Sequence, residues 1–193
     1  LPVWQQVVEQ YAGRNFELVA VAVDAQGASK PRPFMEQAGA TFTCVVDAEN
    51  FLSKTLGFKA VPNGIFVNES SIVVHQKFGG FDIRKPETRQ LVDSWLTSGS
   101  TAEAESTGCA SVDPRVQVLF GDGLALLRSG DNAAALAKWR EASVIDPDNY
   151  VVHKQLWSIE NPERFYNGKV DMDWQKQQLA RGLWAYEDSE LHH

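Results

Sequence analysis

Few residues of this 193-residue chain have types and spacings that do chemistry. Cys44 and Cys109 lie far apart and form no CxxC, so no dithiol reaction can be assigned to them. Cys44 sits in an apolar, strand-like run and reads as a buried small hydrophobe. Cys109 lies in a Ser/Thr/Gly-rich connector and reads as an exposed thiol, with a Cys44–Cys109 disulfide left open as the alternative. Asp24 and Asp47 each follow a strand candidate, where open α/β sheets place active sites. Aspartate is equally at home in turns and at helix starts, so the expectation for both is local capping. His75 falls on a strand with no second histidine nearby and reads as a partly exposed histidine rather than a metal ligand. The sequence offers no paired carboxylates or clustered histidines for hydrolytic or metal chemistry. Glu190-Leu191-His192-His193 reads as the start of an expression tag, and its histidines enter no metal argument.

The more informative stretch is Gly57-Phe58-Lys59-Ala60-Val61-Pro62-Asn63-Gly64-Ile65-Phe66-Val67. A helix-ending glycine is followed by a turn and then by a proline at the foot of an apolar strand. Proline cannot donate to a sheet ladder, so at a strand mouth it marks a tight bend. Phe78-Gly79-Gly80-Phe81 lacks the long glycine spacing and following lysine of a phosphate-binding loop, and reads as a close backbone turn beneath a helix.

Composition bounds the partners. Hydrophobic residues make up 44% of the chain and charged residues 22%, an ordinary globular balance. A net charge of -7 without a Lys/Arg-rich block excludes a general nucleic-acid binder. No apolar run approaches the about 18 residues of a membrane-spanning helix.

Around the Val61-Pro62 bend, residues 1–97 read as alternating helices and strands. Trp4, Val7, Val8 and Tyr11 have helical spacing, and Pro2 suits a first turn. Phe16–Val23 is apolar and branched, as in a strand covered on both faces. A short helix over Pro33–Ala38, a strand over Thr41–Val46 and a helix over Ala48–Leu56 follow, with Asp47 as the last helix's cap and Phe51, Leu52 and Leu56 as its buried stripe. Strands over Gly64–Val67 and Ser71–His75 then lead to a helix over Pro86–Leu96, with Leu91, Val92, Trp95 and Leu96 facing inward.

This order, with Val61-Pro62 before a strand and Gly79-Gly80 before the last helix, resembles the thioredoxin fold. More narrowly it resembles the thiol-disulfide oxidoreductase and peroxiredoxin-like branch. The resemblance implies that Pro62 is a cis-proline, that Val61 pairs with an extended protein substrate, and that no bound cofactor is needed. In that family a CxxC opens the first helix of this pattern, and a strand leads into it. Neither is present in residues 1–193. The absent strand is central in the family's sheet, between the equivalents of Phe16–Val23 and Ile65–Val67. Those two strands must therefore meet directly or leave buried backbone groups unpaired at about 1–3 kcal/mol each. The expectation is an incomplete α/β domain from a longer protein, or one completed by a homo-oligomer or another chain.

Residues 98–111 contain no apolar run and read as a linker. Beyond them, residues 112–189 read as helix alone. Helices over Pro114–Arg128 and Ala133–Ser143 carry Gly123, Leu126, Gly130-Asp131, Ala135, Trp139, Ala142 and Pro147. That pattern resembles a tetratricopeptide repeat. A further helix reaches about Ser158, Asn161–Gly168 interrupts, and a last helix capped by Asp171 or Asp173 uses Trp174, Leu179, Leu183 and Trp184 as apolar contacts. The resemblances imply a thiol-disulfide oxidoreductase-like protein whose catalytic dithiol is not in these residues. The alternative is a non-catalytic assembly module that binds a partner protein.

Overall fold

The computed structural model describes residues 1–99 and 111–181 of a mixed α/β chain. Leu1–Ser111 and Val112–His193 are two compact units. The linker from residue 100 to 110, with Cys109, lies outside the described residues, as do Leu183, Trp184 and the terminal histidines.

In the first unit, α1 (Pro2–Gln10) starts on Pro2, whose missing N–H is no loss in a first turn. There follow β1 (Val19–Ala22), α2 (Arg32–Gln37), β2 (Thr43–Val46), α3 (Phe51–Leu56), β3 (Gly64–Val67), β4 (Val73–Lys77) and α4 (Pro86–Ser98). Among the described residues the strands form two separate sheets. β1 runs parallel to β2, with Val19 opposite Thr43 and Ala22 opposite Val46. β3 runs antiparallel to β4, with Phe66 opposite His75.

The core lies between β3–β4 and the two long helices. Phe66 stacks on Trp95 of α4 at 4.7 Å between ring centroids and meets Phe81 edge-on at 5.9 Å. Trp4 of α1 stacks on Phe81 at 6.2 Å, and Val7, Tyr11, Ile83 and Val92 complete the buried cluster. The Tyr11 hydroxyl donates to Asp93 at 2.8 Å, and Arg89 grips the same carboxylate with bonds to Asp93, so the helices are latched at one end. At its other end α1 reaches the β1–β2 side. The Gln5 side-chain oxygen accepts from Thr41 N–H at 2.9 Å while its amide donates to the Thr41 hydroxyl.

Several elements differ from the sequence expectation for identifiable reasons. β1 is shorter than Phe16–Val23 and is not covered on both faces, because Val19 and Val21 are exposed. α3 begins at Phe51 rather than Ala48. The N-cap position is Asn50 and not Asp47, although the Asp47 carboxylate accepts from Phe51 N–H at 2.7 Å and Leu52 N–H at 2.8 Å; Phe51 points outward and Ser53 is the buried residue. β4 starts two residues later than Ser71. The Asn68 side chain accepts from Ser70 and Ile72 N–H, which holds residues 68–72 in a turn.

In the second unit, α5 (Pro114–Ser129), α6 (Asn132–Ile145) and α7 (Tyr150–Glu160) are capped by Asp113, Asp131 and Asn149. The short α8 (Glu163–Tyr166) and then α9 (Met172–Arg181) follow. Asp171, not Asp173, caps α9 by accepting from Trp174 N–H at 3.0 Å. Leu179 is exposed, and Gln175 takes the buried position with its side-chain oxygen accepting from the Tyr150 hydroxyl.

Trp139 is fully buried, and its indole N–H donates to Phe120 C=O at 3.2 Å. A Cβ on Gly123 would stand 2.4 Å from that indole nitrogen, so only glycine lets α5 lie this close to α6. Glycine to alanine in a helix ordinarily gains about 1 kcal/mol. Here Gly123→Ala is expected to lose about 1–3 kcal/mol through overpacking. Urea unfolding followed by tryptophan fluorescence reads the sign, and an unchanged or raised midpoint contradicts this packing.

Candidate functional site

The Val61-Pro62 bend is built from its flanks inward. Gly57 closes α3 in the left-handed conformation at φ 72°. The Ser53 hydroxyl donates to Phe58 C=O at 2.7 Å, and Phe58, buried, tilts against Phe78 at 5.8 Å. On the other side the Pro62 C=O accepts from Phe81 N–H at 3.0 Å. The Asn63 side chain accepts from Gly79 N–H at 2.7 Å. Gly64 lies under the Phe81 ring, where a Cβ would come within 2.5 Å of ring carbons. The Phe78-Gly79-Gly80-Phe81 turn, with both glycines at positive φ, thus holds the start of β3. Between these anchors Val61 and Pro62 are exposed, and their peptide bond is cis. The supporting roles of Ser53, Asn63 and Gly64 were not read from the sequence, whereas the Phe78-Gly79-Gly80-Phe81 turn was. The contact of Gly64 with Phe81 joins residues distant along the chain.

The remaining candidates do not converge on this bend. Asp24 is buried and accepts from Gln26 N–H at 3.0 Å, a local turn, and Asp47 accepts from the first N–H groups of α3. Their place beside each other follows from the parallel pair, in which Asp47 N–H donates to Ala22 C=O at 2.8 Å. Cys44 lies on β2, half-buried, and burial pushes its thiol up, away from the thiolate that would act as a nucleophile. His75 is not partly exposed as expected. It is buried on β4, 5.2 Å from the Phe66 ring. No cluster of three or more histidine, cysteine or carboxylate side chains suited to a metal ion occurs among the described residues. No helix of the described residues is long and apolar enough to cross a membrane.

Compared with protein-family models, curated proteins and solved structures, the chain matches none.

Burial, then the nearby Lys77 charge, lowers the His75 pKa below the ordinary value of about 6.5. The folded state therefore binds fewer protons than the unfolded state just below that value, so stability is full above it and declines as pH falls toward the lowered folded value. Chemical denaturation followed across pH 7.5 to 5 should show stability falling on acidification, with a smaller fall in His75→Phe. Equal slopes in the two proteins contradict a neutral, buried His75.

Proposed function

We propose that residues 1–99 are the substrate-side portion of a thioredoxin-like thiol-disulfide oxidoreductase, and that residues 112–181 are tetratricopeptide-like helices serving protein contacts. The observation that carries the first part is the presentation of Val61 and Pro62. They are exposed, while Phe58 and Gly64 on either side are buried and fixed. A short, rigidly mounted length of backbone at a strand mouth is suited to align an extended polypeptide. In this reading Val61 pairs with the substrate main chain and Pro62 packs against it. The reacting thiols belong to a CxxC outside residues 1–193. One thiolate attacks the substrate disulfide, breaking its S–S bond and releasing one substrate thiolate as a mixed disulfide forms; the second attacks the mixed disulfide, releasing the other substrate thiol and leaving the CxxC oxidised. The contribution of residues 1–99 is orientation of that substrate. The second part is supported by the Gly123–Trp139 approach of α5 and α6 and by the capped turns between successive helices.

A second reading, a non-catalytic assembly module, is favoured by Cys44. It is the free cysteine among the described residues, and its raised thiol is a poor nucleophile. It expects specific partner binding by a polypeptide that turns over no disulfide.

With Val61 replaced by a photo-crosslinking phenylalanine analogue, the 193-residue chain is expected to capture an extended cysteine-containing peptide. The same replacement at exposed Thr55 is not. Capture from neither position, or equally from both, contradicts substrate alignment at the bend. The coding sequence around these residues separates the two readings, because the oxidoreductase reading requires a CxxC there and fails without it.

A further inference from the structure

The chain holds two Asn-Gly pairs, Asn63-Gly64 and Asn167-Gly168, and the fold treats them in opposite ways. An asparagine followed by glycine is open to attack on its side-chain amide by the next backbone nitrogen, because glycine has no Cβ to block the approach. The other asparagines of the chain each precede a residue that carries a Cβ. Asn63 is held. Its side-chain oxygen accepts from Gly79 N–H at 2.7 Å, the Pro62 C=O just before it accepts from Phe81 N–H at 3.0 Å, and Gly64 is buried in β3 opposite Lys77. The Phe81 ring fills the space at Gly64, where a Cβ would lie 2.5 Å from ring carbons. Asn167 is not held. It follows α8 at φ −86° and ψ 46°, outside the helix and strand wells, and no hydrogen bond among the described residues fixes its side chain. Asn167, Gly168 and Lys169 are exposed, and nothing lies within 4 Å of the place a Cβ would take on Gly168.

We infer that Asn167 is a self-acting modification site, converted without an enzyme to aspartate and isoaspartate, and that the same pair at Asn63 is protected by the fold. The Gly168 nitrogen, losing its proton to base, bonds to the side-chain carbonyl carbon of Asn167. The bond from that carbon to Nδ2 breaks, and Nδ2 leaves as ammonia to give a succinimide ring. Water then opens the ring at one carbonyl or the other, to aspartate or to isoaspartate. One water is consumed and one ammonia released, with no change of oxidation state. The product carries one more negative charge. That charge enters the turn closed by Arg164 and Asp171. Asp171 N–H donates to Arg164 C=O at 2.8 Å, and the Asp171 carboxylate pairs with the Arg164 guanidinium at 2.9 Å. The same carboxylate caps α9, so the modified turn is the one from which that helix starts. The inference does not depend on the thiol-disulfide reading, and either can fail alone.

The 193-residue chain is incubated at mildly alkaline pH and sampled over days by tryptic digestion and mass spectrometry, beside a free synthetic peptide of the sequence Tyr-Asn-Gly-Lys. The tryptic peptide holding Asn167 should gain about 1 Da and split into two chromatographic forms, one of them co-eluting with the same peptide from Asn167→Asp. Asn63 should convert at least about tenfold more slowly, since its side chain must first leave Gly79 and Gly64 must leave Phe81. In denaturing urea the two sites should convert at similar rates. Asn167→Gln should remove the fast conversion and leave Asn63 as slow as before. An Asn167 that stays intact while the free peptide converts overturns the proposal. So does conversion of Asn63 as fast as Asn167 in the folded chain, or a difference between the sites that persists in urea.

Discussion

A β-strand sends N–H and C=O groups to both sides, and among the described residues each strand of the first unit pairs with one other strand only. β1 is satisfied by β2 and β3 by β4, and the sheet stops there twice. Unpaired backbone groups that are buried cost about 1–3 kcal/mol each, so the fold keeps these rows near solvent, with Val19, Val21 and Val67 exposed. The short strands, the exposed branched side chains and the reliance on helices to join the sheets follow from this division.

What joins them is aromatic packing on one face. Phe66 is the hub, stacked on Trp95 of α4 and edge-on to Phe81, which in turn lies under Trp4 of α1. The same Phe81 closes over Gly64 and accepts no side chain there, so the ring that fills the core also fixes the start of β3 and the exposed Val61-Pro62 bend. Core and candidate site thus share one residue. The second unit uses a similar device, a glycine facing a large ring, to bring Gly123 against Trp139.

The sequence showed most clearly what depends on neighbours along the chain. Gly57 as a helix stop and Pro2 and Pro86 as first-turn residues are local chemistry. What depends on distant partners was hidden. His75 looks exposed in an alternating strand and is buried because Phe66 lies opposite it. Phe51 looks like core, yet α3 starts with the Phe51 N–H on the Asp47 carboxylate, and Phe51 faces out. β4 was displaced because Asn68 draws the next residues into a turn, a side-chain bond that apolar periodicity does not register. At the candidate site the proline bend was legible. Its anchors, Ser53 on Phe58 and Asn63 on Gly79, were visible only once the chain was folded.

The central claim is the divided sheet with two open edges. NMR scalar couplings across hydrogen bonds, which identify each amide's acceptor, test it in the chain alone. The account predicts couplings that link β1 to β2 and β3 to β4, with none from the Val21 or Ile65 amides to another strand. Couplings directly between β1 and β3 would show one continuous sheet and contradict the account.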